Sequence, residues 1–198
     1  NGWSTGVSLV DINNDGWLDI YVCKSASVTN NDLRRNKLFI NNQDGTFKEQ
    51  AKQYGIDDPG FSTQAYFFDY DKDGDLDIYV VNHRPDFSNN GKISSEIQRD
   101  KSPLTSDQLY QNNGDNTFTN TSLLAGISNK AWGLSAAVGD FNNDGWYDIY
   151  VCNDYLEPDI LYVNNKNGTF SDQVLNRMNH ISFNSMGSDY ADINNDGF

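Results

Sequence analysis

The chain repeats itself to a fixed ruler, and that ruler limits the folds open to it. Three segments, Asp11 to Asp19, Asp69 to Asp77 and Asp140 to Asp148, each read Asp-x-Asx-x-Asp-Gly-x-x-Asp. A fourth starts at Asp192, reads Asp-Ile-Asn-Asn-Asp-Gly, and reaches the last residue, Phe198. Each complete copy is followed directly by Ile-Tyr-Val. A second motif comes later in every repeat, at Leu38 to Phe47, Leu109 to Phe118 and Leu161 to Phe170, built on Asn-Asn and closed by Thr-Phe. From that Phe to the next Asp loop is 22 positions in all three cases. Only the interval from the last Asp of a loop to the following Leu varies, at 19, 32 and 13 positions. Chance does not hold two intervals constant across three copies, so the variation in length is confined to one loop per repeat.

Each repeat reads as four short strands. The first precedes the Asp loop (Val7–Val10, Ala65–Phe68, Ser135–Val138), and the second follows it (Trp17–Cys23, Leu76–Val81, Trp146–Cys152). The third and fourth form a hairpin across the Asn-Asn turn, whose Asn and Gly residues accept left-handed conformations at little cost. The constant stretch carries a short, weakly helical piece (Glu49–Tyr54, Ser122–Leu124, Gln173–Met178). Four antiparallel strands per repeat predict an all-β fold of propeller blades. The repeats lie at about 6–64, 65–134 and 135–187, with a truncated one at 188–198. Propellers close with about four to eight blades. Three and a half blades are therefore expected to belong to a larger propeller within a longer polypeptide. A two-sheet sandwich is the other all-β arrangement, but it would not require the ruler.

Composition sharpens the reading of the loops. The net charge is −14, yet the acids are 25 Asp and only 3 Glu, beside 27 Asn. A merely solubilising surface would mix in Glu, whereas Asp and Asn favour turns, caps and oxygen coordination. With 26 aromatic residues the chain is not a disordered tail. The acidic balance opposes nucleic-acid binding, which needs basic patches. No run of 18 apolar residues is present to span a membrane, and Asn1 to Ser4 show no leader pattern.

The Asp loops have the donor pattern of calcium sites. In the loop at Asp69, side-chain oxygens fall at positions one, three and five (Asp69, Asp71, Asp73), Gly74 permits the sharp turn, Asp75 offers its carbonyl, and Asp77 closes position nine. This is the first half of an EF-hand ligand scheme with an Asp in place of the late Glu. The same positions are Asp11, Asn13, Asp15, Trp17 and Asp19 in the first loop, and Asp140, Asn142, Asp144, Trp146 and Asp148 in the third. Asp192, Asn194 and Asp196 begin the fourth, which lacks its ninth residue. All donors are hard oxygens, which favours Ca2+ over zinc or copper, and a crowded protein cage suits calcium better than magnesium. Thirteen of the 28 acids sit in these four loops and would repel one another without cations. Asn at position three lowers the ligand charge of the other loops, so the loop at Asp69 is expected to bind most tightly. Plain Asp-Asn-Gly turns are the bland reading, weakened by four copies set between strands.

These loops, with Gly6-Val-Ser-Leu-Val-Asp before them, Asp-Gly-Trp-Leu-Asp-Ile-Tyr-Val within them and Ser185-Met-Gly near the end, resemble the FG-GAP/VCBS repeat of integrin-alpha-like propellers. The fuller pattern is similar to the cartilage acidic protein (ASPIC/UnbV-associated) branch. The resemblance covers essentially the whole chain. It implies a seven- or eight-bladed propeller, calcium in the blade loops, an extracellular or cell-surface location, and a role in adhesion or binding. Nothing in the sequence matches the integrin adhesion site.

If the strands alternate, the Asp loops and hairpins share one face, and the variable loops share the other. The longest variable loop, Asn82–Ser106, holds His83, Arg84, Asp86, Lys92, Arg99 and Lys101 and is a candidate site for a protein or glycan partner, or else a surface insertion. The remaining blades or a larger surface complex are the other expected partners. Cys23 and Cys152 occupy one repeat position and are expected as free, buried thiols. Trp17 and Trp146 share another and are expected to pack between blades, with sugar stacking as the lesser reading. Asn120-Thr-Ser and Asn167-Gly-Thr match the glycosylation sequon, which matters only in a secretory setting. No nucleophile motif accompanies His83 or His180. The expectation is thus a non-enzymatic, calcium-stabilised segment of a secreted or surface protein. The rival is a polysaccharide-processing, lyase-like enzyme or its carbohydrate-binding module. It would need His83, Arg84 and His180 gathered around a groove.

Overall fold

In the computed structural model, residues 2–25, 27–85, 102–155 and 157–194 are described. They form three four-stranded antiparallel sheets, each a simple meander in chain order. The first sheet holds β1 (Trp3–Val10), β2 (Asp19–Ser25), β3 (Lys37–Asn41) and β4 (Phe47–Glu49). The second holds β5 (Ser62–Phe68), β6 (Asp77–Asn82), β7 (Gln108–Asn112) and β8 (Phe118–Asn120). The third holds β9 (Trp132–Gly139), β10 (Asp148–Asp154), β11 (Ile160–Asn164) and β12 (Phe170–Asp172). These are propeller blades. A single helical turn follows each fourth strand, at Ala51–Tyr54, Ser122–Ala125 and Val174–Arg177.

The first strands extend further toward their N-termini than the apolar pattern indicates. The second strands start two residues later at two of the three loops, because the ninth loop residue, not the Trp, enters the ladder. Trp17 and Trp146 therefore lie in the loops. Trp17 is 48% exposed and packs against no neighbouring blade, a departure from expectation, because no described blade lies on its side of the first sheet. Trp146 does reach a neighbour: the Lys72 ammonium of the second loop lies 4.7 Å from its ring centroid.

The core lies between the sheets. Tyr21, Cys23, Leu38 and Ile40 of the first blade meet Ala65, Ile78, Val80 and Phe118 of the second. Tyr79, Val81 and Leu109 of the second meet Ala136, Ile149 and Tyr162 of the third. A strand packed on both faces needs apolar side chains on both, and β6, in the middle blade, is buried along its whole length, whereas β2 alternates. Cys23 and Cys152 are free and buried, as their repeat position suggested.

The first strands of successive blades lie close together and are laced by side chains. Thr5 Oγ1 donates to Ser62 O at 2.6 Å, Ser8 Oγ to Ala65 O at 2.8 Å, and the Ala136 N–H to Tyr66 Oη at 2.8 Å. Gly6 makes this approach possible. A Cβ there would lie 2.1 Å from Gln64 Oε1 and 2.3 Å from Thr63 O. Gly6→Ala should therefore cost about 1–3 kcal/mol, the usual range for overpacking a closed contact. Urea denaturation would show it as a lowered midpoint, and an unchanged midpoint would contradict the close approach.

Candidate metal centre

The Asp loops recur at one end of each blade, tied to the hairpin beside them. The ninth residue makes the tie. Asp19, Asp77 and Asp148 are each fully buried. Their Oδ1 atoms accept the N–H of Asn41, Asn112 and Asn164, in each case at 2.8 Å. Their Oδ2 atoms accept the N–H of Ile12, Tyr70 and Phe141 at 3.2, 3.1 and 3.1 Å. The Asn41, Asn112 and Asn164 amides return the contact, donating to Leu18, Leu76 and Tyr147 carbonyls at 3.2 Å each. So one buried carboxylate staples the loop to the third strand of its blade. Each oxygen keeps a second lone pair for a ligand.

The three complete loops differ in how their remaining oxygens are used. In the first, Asp11 accepts the N–H of Asp15 at 2.9 Å and of Gly16 at 2.8 Å. In the third, Asp140 does the same toward Asp144 at 3.0 Å and Gly145 at 2.7 Å. Asn13 and Asn142 also turn their Oδ1 onto the loop backbone. The second loop keeps only part of this closure: Asp69 Oδ2 accepts the Gly74 N–H at 3.1 Å, and Asp71 Oδ2 accepts from Gln111 Nε2 of the neighbouring strand at 2.7 Å. Asp69 Oδ1 and Asp71 Oδ1 are buried and meet no hydrogen-bond donor. Ligand oxygens of Asp69, Asp71 and Asp77 lie within 4.8 Å of one another. Asp73 and Asp75 stand nearby, with Asp73 Oδ1 accepting the Asp75 N–H at 3.0 Å.

Such convergence disfavours ionisation. Burial, with Asp71 and Asp73 adding repulsion, pushes Asp77 up to about 7, against the pull of its two backbone hydrogen bonds. Burial likewise raises Asp71, Asp19 and Asp148. Orphaned buried oxygens and crowded carboxylates are what a hard divalent cation would satisfy, so the residues present fit Ca2+. The start of the fourth loop, Asp192 and Asn194, is exposed and outside any strand, and Asp196 lies outside the described residues.

The opposite end of each blade carries a second staple that pattern reading missed. Asn36, Asp107 and Asp159 are buried and stand two residues before the Leu of each second motif. Their Oδ1 atoms accept the N–H of Lys24, Asn82 and Asn153 at 2.8, 2.7 and 2.9 Å. The Tyr of each Ile-Tyr-Val joins them: Tyr79 Oη donates to Asp107 at 2.6 Å, Tyr150 Oη donates to Asp159 at 2.7 Å, and Tyr21 Oη accepts from Asn36 at 3.1 Å. The Asn129 amide donates to Asp107 Oδ2 at 2.8 Å and to Asn153 Oδ1 at 3.1 Å, linking the second blade to the third. The constant spacing of these Asx residues ahead of the Leu was the available signal.

Of the long variable loop, residues 86–101, with Asp86, Lys92, Arg99 and Lys101, lie outside the described residues. Arg84 is buried, its guanidinium carbon 5.8 Å from the Trp132 ring centroid. A cleft of about 430 Å³ between the second and third blades is lined by Asp71, Gln111, Leu124, Trp146 and Lys166. His83, Arg84 and His180 do not line it, so the groove that the lyase reading needs is not formed there.

An FG-GAP-like repeat model matches residues 11–80, 97–151 and 140–198. The chain belongs to the FG-GAP-like repeat family. Comparison with curated proteins gives no match. The repeat boundaries of the family model begin at Asp11 and Asp140, the first residues of two of the Asp loops. No helix among the described residues is long and apolar enough to cross a membrane.

Proposed function

We propose that the three complete Asp loops of this FG-GAP-like chain are structural calcium sites, within a non-enzymatic propeller segment of a secreted or cell-surface protein that serves adhesion, ligand binding or assembly. The observation that carries the reading is the pair of orphaned, buried oxygens on Asp69 and Asp71, converging with Asp77. Asp11, Asn13, Asp15 and Asp19 would hold the ion in the first loop, and Asp140, Asn142, Asp144 and Asp148 in the third, with Trp17, Asp75 and Trp146 offering carbonyls. A bound ion supplies positive charge to the turn. The chain's own part is to fix the oxygens, by stapling each ninth Asp to the neighbouring hairpin. Rigid loop ends leave the opposite face, with its connections of variable length, for a protein or glycan partner.

Calorimetric titration of the chain with calcium tests this directly. About three sites are expected, with Kd values of ~10⁻⁴–10⁻³ M if the setting is extracellular. Asp73→Ala should remove one. Absence of any binding heat at several temperatures would reduce the loops to plain turns.

A further inference from the structure

One hairpin position faces each Asp loop and differs in every blade. Gln43, Gly114 and Lys166 occupy it, all with positive φ, at 65°, 73° and 64°. The backbone N–H of each is held by the Oδ1 of Asn41, Asn112 or Asn164, at 2.9, 3.0 and 2.8 Å. That fixed turn aims the side chain at the loop of its own blade. Gln43 Nε2 donates to Asp15 Oδ2 at 3.3 Å. Lys166 Nζ lies 3.3 Å from Asp144 Oδ2, the matching oxygen of the third loop. Gly114 brings no side chain, and the second loop keeps its orphaned oxygens. The second loop's own lysine, Lys72, directs its ammonium to the Trp146 ring of the next blade.

We infer that this hairpin residue sets the calcium affinity of the adjacent loop, and that the Lys166 ammonium acts as an internal counter-cation that makes the third loop the weakest of the three. The inference rests on the calcium reading and adds to it a rank order: second loop, then first, then third. The physical cause is direct. A divalent ion entering the third loop meets a positive charge already placed on Asp144, its ligand at position five, and must repel or displace it. In the first loop the corresponding group is a neutral amide; in the second the hairpin position offers none, and the contact from the neighbouring strand, Gln111 Nε2 to Asp71 Oδ2 at 2.7 Å, is also a neutral amide. The Lys166 side chain is 47% exposed, so the interaction is partly screened and weakens with salt.

Two-dimensional NMR resolves the loops separately, because Gly16, Gly74 and Gly145 each place one backbone amide at the sixth loop position. Calcium alone is the titrant. In the unaltered chain the Gly74 amide should reach its midpoint at the lowest calcium and Gly145 at the highest. Lys166→Gln should lower the Gly145 midpoint about 5-fold at low salt, with the gap narrowing at high salt, and leave Gly74 in place. Gly114→Lys, at a position whose counterparts already hold side chains at positive φ, should raise the Gly74 midpoint by a similar factor. If the glycine amides respond to calcium but Lys166→Gln leaves Gly145 unmoved, the counter-cation role is overturned and the calcium reading stands. If no glycine amide responds, both fall.

Discussion

Calcium should raise the melting temperature of this chain by roughly 15–30 °C over its value in EDTA. An ion present at one hundred times its Kd adds about 2.7 kcal/mol per site, provided the unfolded chain does not bind it. For a protein of this length each kcal/mol moves the midpoint by about 2–4 °C, so each filled loop contributes roughly 5–11 °C. The blades share cores across their sheets, so pinning one loop supports its neighbour. Asp73→Ala separates binding from folding. Asp73 is exposed, and its described contact is within its own loop. The variant should melt like the parent in EDTA and lose one loop's share of the rise in calcium. Identical melting of the parent in calcium and EDTA would leave the orphaned oxygens of Asp69 and Asp71 unexplained by a cation, and the proposal would fail.

Removal of the Asp107 carboxylate should be the most damaging single change at the other end of the blades. Asp107→Ala leaves the Asn82 N–H, the Tyr79 hydroxyl and one N–H of the Asn129 amide without their acceptor, all at buried residues. Orphaned buried donors of this kind cost about 3–5 kcal/mol together. The same carboxyl should impose a pH dependence. Burial is the main cause that pushes it up to about 6, against the three donors that favour its anion. The folded state thus holds a proton that the unfolded state releases near pH 4. Stability from this group is full below about pH 4 and is lost as the pH rises through 6, on the order of 3 kcal/mol. Asp107→Asn cannot titrate. In saturating calcium, the stability difference between parent and Asp107→Asn should shrink as the pH is raised from 4.5 to 7.5. Parallel profiles across that window would show that Asp107 does not hold its proton in the fold.

Much of the architecture was legible because it repeats. Residues that recur at fixed intervals must do the same job in each copy, so the four strands per repeat, the hairpins and the candidate ligands could all be read from spacing. The strand limits were less clear, because the apolar pattern of β2 runs on from Trp17 while its ladder starts at Asp19. The fate of the two Trp residues was not legible either. They share a repeat position, but only Trp146 has a described blade beside it, and one Lys from that blade covers its ring. A position in a repeat specifies local geometry, and burial depends on the neighbour.

The same division holds at the site. The sequence by itself determined which oxygens stand at each loop position, that Gly occupies the sharp turn, and that Asp closes the ninth place. These follow from local chain geometry and the chemistry of the donors. Only the tertiary structure decided what those oxygens already hold. Asp11 and Asp140 each take two loop amides, Asp69 takes one, Asp69 and Asp71 each keep one unpaired oxygen, and Lys166 reaches back from a hairpin onto Asp144. Three loops with nearly one formula thereby become three electrostatic environments. The physical reason is range. Coordination chemistry is written in residues a few positions apart, whereas the side chains that distinguish one loop from another, Gln43 on Asp15, Gln111 on Asp71 and Lys166 on Asp144, come from strands and hairpins brought alongside by the sheet, 22 or more residues away in the chain.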